Sequence, residues 1–107
     1  MKMSYSEGQY PQKSRDKYLL YLYIAGHGPN SVRATANLNE ICEEYLPDRY
    51  TIEVIDILES PLRAISDGVL VTPTLIKVSP PPMSKIIGNL EDKEKVVSML
   101  GLSGDSH

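Results

Sequence analysis

A single cysteine, Cys42, in 107 residues excludes an internal disulfide and leaves no thiol pair for exchange chemistry. One thiol also fits a reducing compartment, so the cytoplasm is the expected location. With that cysteine, the two histidines, His27 and the terminal His107, cannot supply a cluster with metal-ligand spacing, and no cofactor is expected. Lys and Arg number 11 against 14 Asp and Glu, with no basic run or stripe. The electrostatic footprint that grips a phosphate backbone is missing, which excludes nucleic acid as a partner. The longest apolar run, residues 18–25, falls far short of the roughly 20 residues that a membrane span needs. Residues 1–14 carry Lys2 but neither an apolar core nor a small-residue cleavage site, so no secretory signal is expected. The expectation is a soluble chain with one domain over 17–102, preceded by a flexible arm over 1–16 and followed by a frayed tail over 103–107.

What is present is most informative between residues 70 and 88. Pro73 removes a backbone donor where Thr74-Leu75-Ile76-Lys77-Val78 takes on β character, and it pushes Thr72 into an extended conformation. A second short strand, Lys85-Ile86-Ile87, follows Pro80-Pro81-Pro82, a spacer that favours polyproline II. Upstream, residues 17–25 read as an interior strand covered on both faces. The break at Gly26-His27-Gly28-Pro29-Asn30-Ser31 leads into a helix whose apolar stripe is Ala34, Leu38, Ile41, Cys42 and Tyr45, stopped by Pro47. Branched residues make 50–58 a strand. Ser60-Pro61 opens a short helix ended by Asp67-Gly68, and Asn89 is expected to cap a last helix with Val96, Val97 and Leu100 on its stripe.

The order strand, helix, strand, short helix, strand, strand, helix resembles the thioredoxin-like α/β arrangement. Its first half requires a right-handed crossover and a parallel strand pair. The resemblance implies a cis bond at Thr72-Pro73. It also points to the loop after the first strand, where thioredoxin-like proteins hold Cys-x-x-Cys; here residues 26–31 contain no cysteine. Cys42 lies on the apolar stripe and reads as a small core group. His27 acting alone as a base lacks a visible partner nucleophile, and reads as a loop residue between glycines. Gly26-x-Gly28 lacks the third glycine of a dinucleotide cradle and reads as a tight turn. Glu43-Glu44 and Glu91-Asp92-Glu94 read as solvated helix surface, and Tyr18, Tyr21 and Tyr23 as packing. A non-enzymatic binding module is the expectation. The competing class is a thioredoxin-like redox or peroxide-sensing protein, which requires an exposed Cys42 of lowered pKa.

Five blocks together carry a closer resemblance. They are Leu22-Tyr23-Ile24-Ala25-Gly26, Pro29-Asn30-Ser31-Val32-Arg33-Ala34, Val54-Ile55-Asp56-Ile57-Leu58, Thr72-Pro73-Thr74-Leu75 with Lys77-Val78, and Pro80-Pro81-Pro82 with Ile86-Ile87-Gly88. Over residues 18–97 the chain resembles the KaiB family, small partners of the KaiC circadian-clock ATPase. That resemblance implies a metamorphic protein: an oligomeric ground state, typically tetrameric, with a rearranged C-terminal half, and a monomeric thioredoxin-like state that binds a KaiC-like ATPase. It implies a role in a clock or in stress adaptation. By position in the family pattern, Tyr50, Thr51 and Glu53 are expected partner contacts, with Arg33 as an outer-face charge; for Tyr50, strand packing is the equal alternative. Pro73 and Gly88 are the expected fold-switch positions. The chain departs from the clock members at His27-Gly28, at Ser98-Met99-Leu100-Gly101, and at Glu53, where a basic residue is common. The last changes the sign of an expected contact and bears on partner choice.

Overall fold

The structure, a computed structural model, describes residues 17–102; the expected arm and tail lie outside the described residues. Along the chain come β1 (Tyr18–Ile24), α1 (Pro29–Tyr45), β2 (Tyr50–Asp56), α2 (Pro61–Ser66), β3 (Thr74–Ser79), β4 (Ser84–Ile87) and α3 (Lys93–Met99). The strands form one sheet in the order β2-β1-β3-β4, with β1 parallel to β2 and the other pairs antiparallel. The fold is the thioredoxin-like arrangement expected from the order of elements.

Strand alternation divides the core in two. On one face Tyr18, Leu20, Leu22 and Ile24 of β1 pack with Leu38 and Ile41 of α1 and with Val96 and Val97 of α3. On the other, Tyr23, Ile55 and Ile76 meet Ala64 and Val69. This two-sided burial explains why β1 carries an almost unbroken apolar run. Helix α1 keeps its stripe, with Ser31, Ala34, Leu38, Ile41 and Cys42 buried at three- and four-residue spacing. Tyr45, expected on that stripe, is 37% exposed. The turn after Ile41 and Cys42 carries it past the sheet, and Lys93 lies over its ring.

Four local expectations are corrected. Ser60 makes no side-chain cap to α2; its carbonyl alone receives the Ala64 amide. Asn89 does not cap α3. Leu90 takes φ 66°, a left-handed conformation that a helix cannot contain, so α3 starts later and Asp92 Oδ1 accepts from the Lys95 amide at 3.2 Å. Asn89 instead accepts from the Glu91 amide and offers its carbonyl to Asn37. The proline-rich connection is not an unbroken polyproline II segment: Ser79-Pro80 and Pro81-Pro82 are cis, as is Thr72-Pro73. The strand predicted over 50–58 stops at Asp56, whose carboxylate accepts from the Leu58 and Gly26 amides and so turns the chain away from the sheet.

Candidate functional site

The loop that would hold reactive thiols is built without them. Gly26, with φ 72°, leaves β1 in a left-handed turn, and its amide donates to Asp56. His27 lies at the mouth of a groove beside the start of α1. Cys42 is remote from this loop, on the inner face of α1, and fully buried. Burial, assisted by Glu43, pushes its thiol up to about 12. A thiol held there is almost entirely protonated near neutrality and is a poor nucleophile. Cys42 is therefore expected to resist Ellman's reagent in native buffer and to react in full in denaturant. Rapid native reaction at a rate above that of unfolding would restore the redox reading.

A second surface forms where β2, the edge of the sheet, meets α2. Glu53 projects to the α2 side and takes a two-pronged hydrogen bond from Arg63, at 2.7 and 2.9 Å. The Arg63 donors hold the Glu53 carboxyl below its ordinary value, and Glu53 in turn raises the guanidinium. Arg63 also lies over the Tyr21 ring, 4.8 Å from its centroid. Deeper, the Tyr23 hydroxyl donates to Asp67 and is pushed up to about 12, first by burial and then by that carboxylate. Lys85 reaches the Asp67 and Gly68 carbonyls at 3.2 and 3.4 Å, a cation placed at the negative end of the short helix.

These polar links matter because α2 has little apolar anchorage. Ala64 and, just beyond the helix, Val69 are its only buried apolar side chains, whereas Leu62 and Ile65 are 78% and 71% exposed and Leu70 is 92% exposed. Exposed ion pairs contribute little in water, so the Arg63–Glu53 pair orients α2 more than it holds it. The part-buried Tyr23–Asp67 bond is the stronger tether, at about 1.5–3 kcal/mol for a hydrogen bond to a charged group. The outcome is a short helix that carries one partner of an oriented charge pair and leaves apolar side chains on it and just after it facing solvent.

The sequence-predicted residues do not form one patch. Thr51 and Glu53 are exposed on β2 and share the α2 side. Tyr50 points the other way, half-buried against the α1 face, and its hydroxyl donates to Glu43, which raises it to about 12. Arg33 is exposed on α1, ten residues before Glu43 and thus about 15 Å along the helix. The two fold-switch positions do come together: the Gly88 amide donates to the Pro73 carbonyl at 2.9 Å, fastening the end of β4 to the start of β3. Missing from the sequence reading were Arg63, Tyr21, Asp67 and the exposed Leu62, Ile65 and Leu70. One signal was present, since Leu62, Ala64 and Ile65 in a six-residue helix cannot all face one side.

Fold and loop together define a thioredoxin-like domain whose first βα loop carries no thiol. A family model described as the KaiB domain matches residues 21–102, and the chain belongs to that family. It is 52% identical over 85 residues to "Circadian clock oscillator protein KaiB" of a Cyanothece species, covering 79% of this chain and 81% of that one. The protein of the same name from Microcystis aeruginosa is 53% identical over 85 residues, covering 79% and 82%. Among solved structures, the N-terminal domain of Synechococcus elongatus SasA superposes with a TM-score of 0.70 at 20% identity, covering 94% of both chains. Chloroplastic thioredoxin z does so with a TM-score of 0.68 at 19% identity, covering 86% of this chain and 83% of the other. Both structural likenesses concern the fold.

Proposed function

We propose that this chain is a non-enzymatic clock-type regulator that docks on a KaiC-like ATPase in the fold described here and modulates the phosphorylation state of that partner. Kinship to proteins named for the circadian oscillator supports the clock role. The observation that carries the docking is the β2–α2 surface: α2 holds Arg63 against Glu53 of β2, while Leu62 and Ile65 on the same helix and Leu70 just after it are exposed. Apolar anchors ringed by oriented charge are the composition of an interface core and its rim. On this reading Thr51 and Glu53 make partner contacts, Arg33 and Tyr50 lie outside the central patch, and Glu53 selects a partner with a basic counterpart.

The same proposal includes a second, oligomeric packing of the C-terminal half, a tetramer in its simplest form. Two positive-φ positions in the link from β4 to α3 support it: Gly88 at φ 122°, which only glycine adopts readily, and Leu90 at φ 66°, where a non-glycine residue is strained. The weak apolar anchorage of α2 lowers the cost of releasing it. Only the thioredoxin-like population binds, which slows observed association in proportion to that fraction. Stopped-flow mixing with the KaiC-type ATPase of the same genome tests this. Saturable binding with slow, conformationally limited association is expected, and absence of binding to any such ATPase would overturn the functional reading.

A further inference from the structure

The groove at the start of α1 belongs to neither the docking surface nor the fold change. Helix α1 is 17 residues long, and its N-cap is Gly28, which has no side chain to offer its first amides. Pro29 has no N–H. The first amide to find a carbonyl is that of Val32, which donates to Gly28 at 3.0 Å. Among the described residues the Asn30 and Ser31 amides meet no acceptor, and no acidic side chain stands in the first turn. Two donors at the positive end of a long helix are therefore left open.

A second observation is independent of the helix end. Ser31 is only 7% exposed, and its hydroxyl has no hydrogen-bond partner among the described residues. Its carbonyl accepts from Thr35 Oγ1 at 2.9 Å, so that group is satisfied and the hydroxyl is not. A buried hydroxyl without a partner is costly, and its satisfaction by a ligand is favourable. Ser31 lines a groove of about 400 Å³, within the size range of small-molecule sites. His27 and Thr35 supply the other polar wall, while Val32, Ala36 and Val54 supply an apolar one. Asp56, the carboxylate that this loop uses, is turned to the Gly26 and Leu58 amides and is not part of the lining.

We propose that this groove binds a small carboxylic acid with a short apolar tail. The carboxylate receives the Ser31 hydroxyl and the Asn30 and Ser31 amides, and the tail lies along Val32, Ala36 and Val54. Three donors suit an anion that only accepts, and the apolar wall distinguishes such an acid from a simple inorganic anion. This binding goes beyond ATPase docking and does not depend on it.

The test is an NMR titration of the full ¹⁵N-labelled chain with pentanoate, 1-pentanol and chloride. Saturable shifts of the Asn30 and Ser31 amides are expected with pentanoate, with affinity at least about tenfold weaker for 1-pentanol. Ser31→Ala is expected to weaken pentanoate binding about tenfold. Val32→Glu, at a position 57% exposed, is expected to abolish it by placing a tethered carboxylate at the same amides. If Ser31→Ala fails to fold, Val32→Glu decides. The proposal is overturned by absence of saturation, by an equal response to 1-pentanol or chloride, or by unchanged affinity in a folded variant.

Discussion

Leu70→Asp is expected to weaken binding to the KaiC-type ATPase by thirtyfold or more while leaving the fold intact. Leu70 is 92% exposed, so the free protein loses no core packing, and surface changes of this kind rarely move stability by more than about 0.5 kcal/mol. On the proposed docking the same position is an apolar anchor. A carboxylate there must be desolvated without a partner, and central anchors of this kind contribute about 2 kcal/mol or more, equivalent to some thirtyfold in affinity. Met83→Asp is the matched control: Met83 is 68% exposed but precedes β4, at the end of β3 away from Leu70. Surface plasmon resonance on both variants, with circular dichroism to confirm folding, reads the difference. If parent and Leu70→Asp bind alike, the α2 surface is not the docking face even though the ATPase is the partner. Equal loss in both variants points to a non-specific effect of charge.

Gly88→Val is expected to destabilise the thioredoxin-like fold by about 2 kcal/mol, the scale for a non-glycine residue forced into a sparsely allowed conformation. Gly88 has φ 122°, and a Cβ built there meets nothing within 4 Å. The penalty is therefore carried by the backbone, with no steric clash. Gly28→Ala separates the two effects, because Gly28 also has open space around its Cβ but sits at φ −68° in extended backbone. Thermal unfolding should show Tm lowered by roughly 8–16 °C for Gly88→Val and by clearly less for Gly28→Ala, which keeps an ordinary backbone conformation and loses only the advantage of glycine over alanine at an N-cap. Where a second packing is populated, the ratio of the two sets of NMR resonances should shift about thirtyfold away from the fold described here. Equal stability of the two variants would show that the positive φ at Gly88 is not a constraint.

The order and type of every element were legible because the signals were local. Periodicity marked α1, an apolar run with little polar alternation marked β1, branched residues marked β2, and Pro73 fixed the start of β3. The failures were also local in origin. Asn89 is a good capping residue, but Leu90 is drawn into the core by tertiary packing at φ 66°, and the helix start moves with it. The candidate docking surface was mostly hidden because its parts are separated in sequence. Glu53 and Arg63 meet across a strand-to-helix connection, and Tyr23 reaches Asp67 across 44 positions. The family pattern brought Glu53 and Thr51 to notice, but it also offered Tyr50, whose side chain strand alternation sends to the opposite face. Ser31 looked like an ordinary helix-start residue; only the packing shows its hydroxyl buried and unpartnered.

The sheet order β2-β1-β3-β4 places β1 alone between the two halves of the chain, paired with β2 on one side and β3 on the other. Residues Leu19 to Tyr23 are matched to β3 along one edge of β1. Any packing that withdraws β3 leaves that row of amides and carbonyls without protein partners, in a strand too apolar to be left to water. A neighbouring chain is the ready replacement. On the proposed second packing, conformation and association become one equilibrium, in which the amount of protein present acts as a ligand. Dilution alone would favour the monomer with β3 in place, so expression level would set how much of the protein is competent to bind.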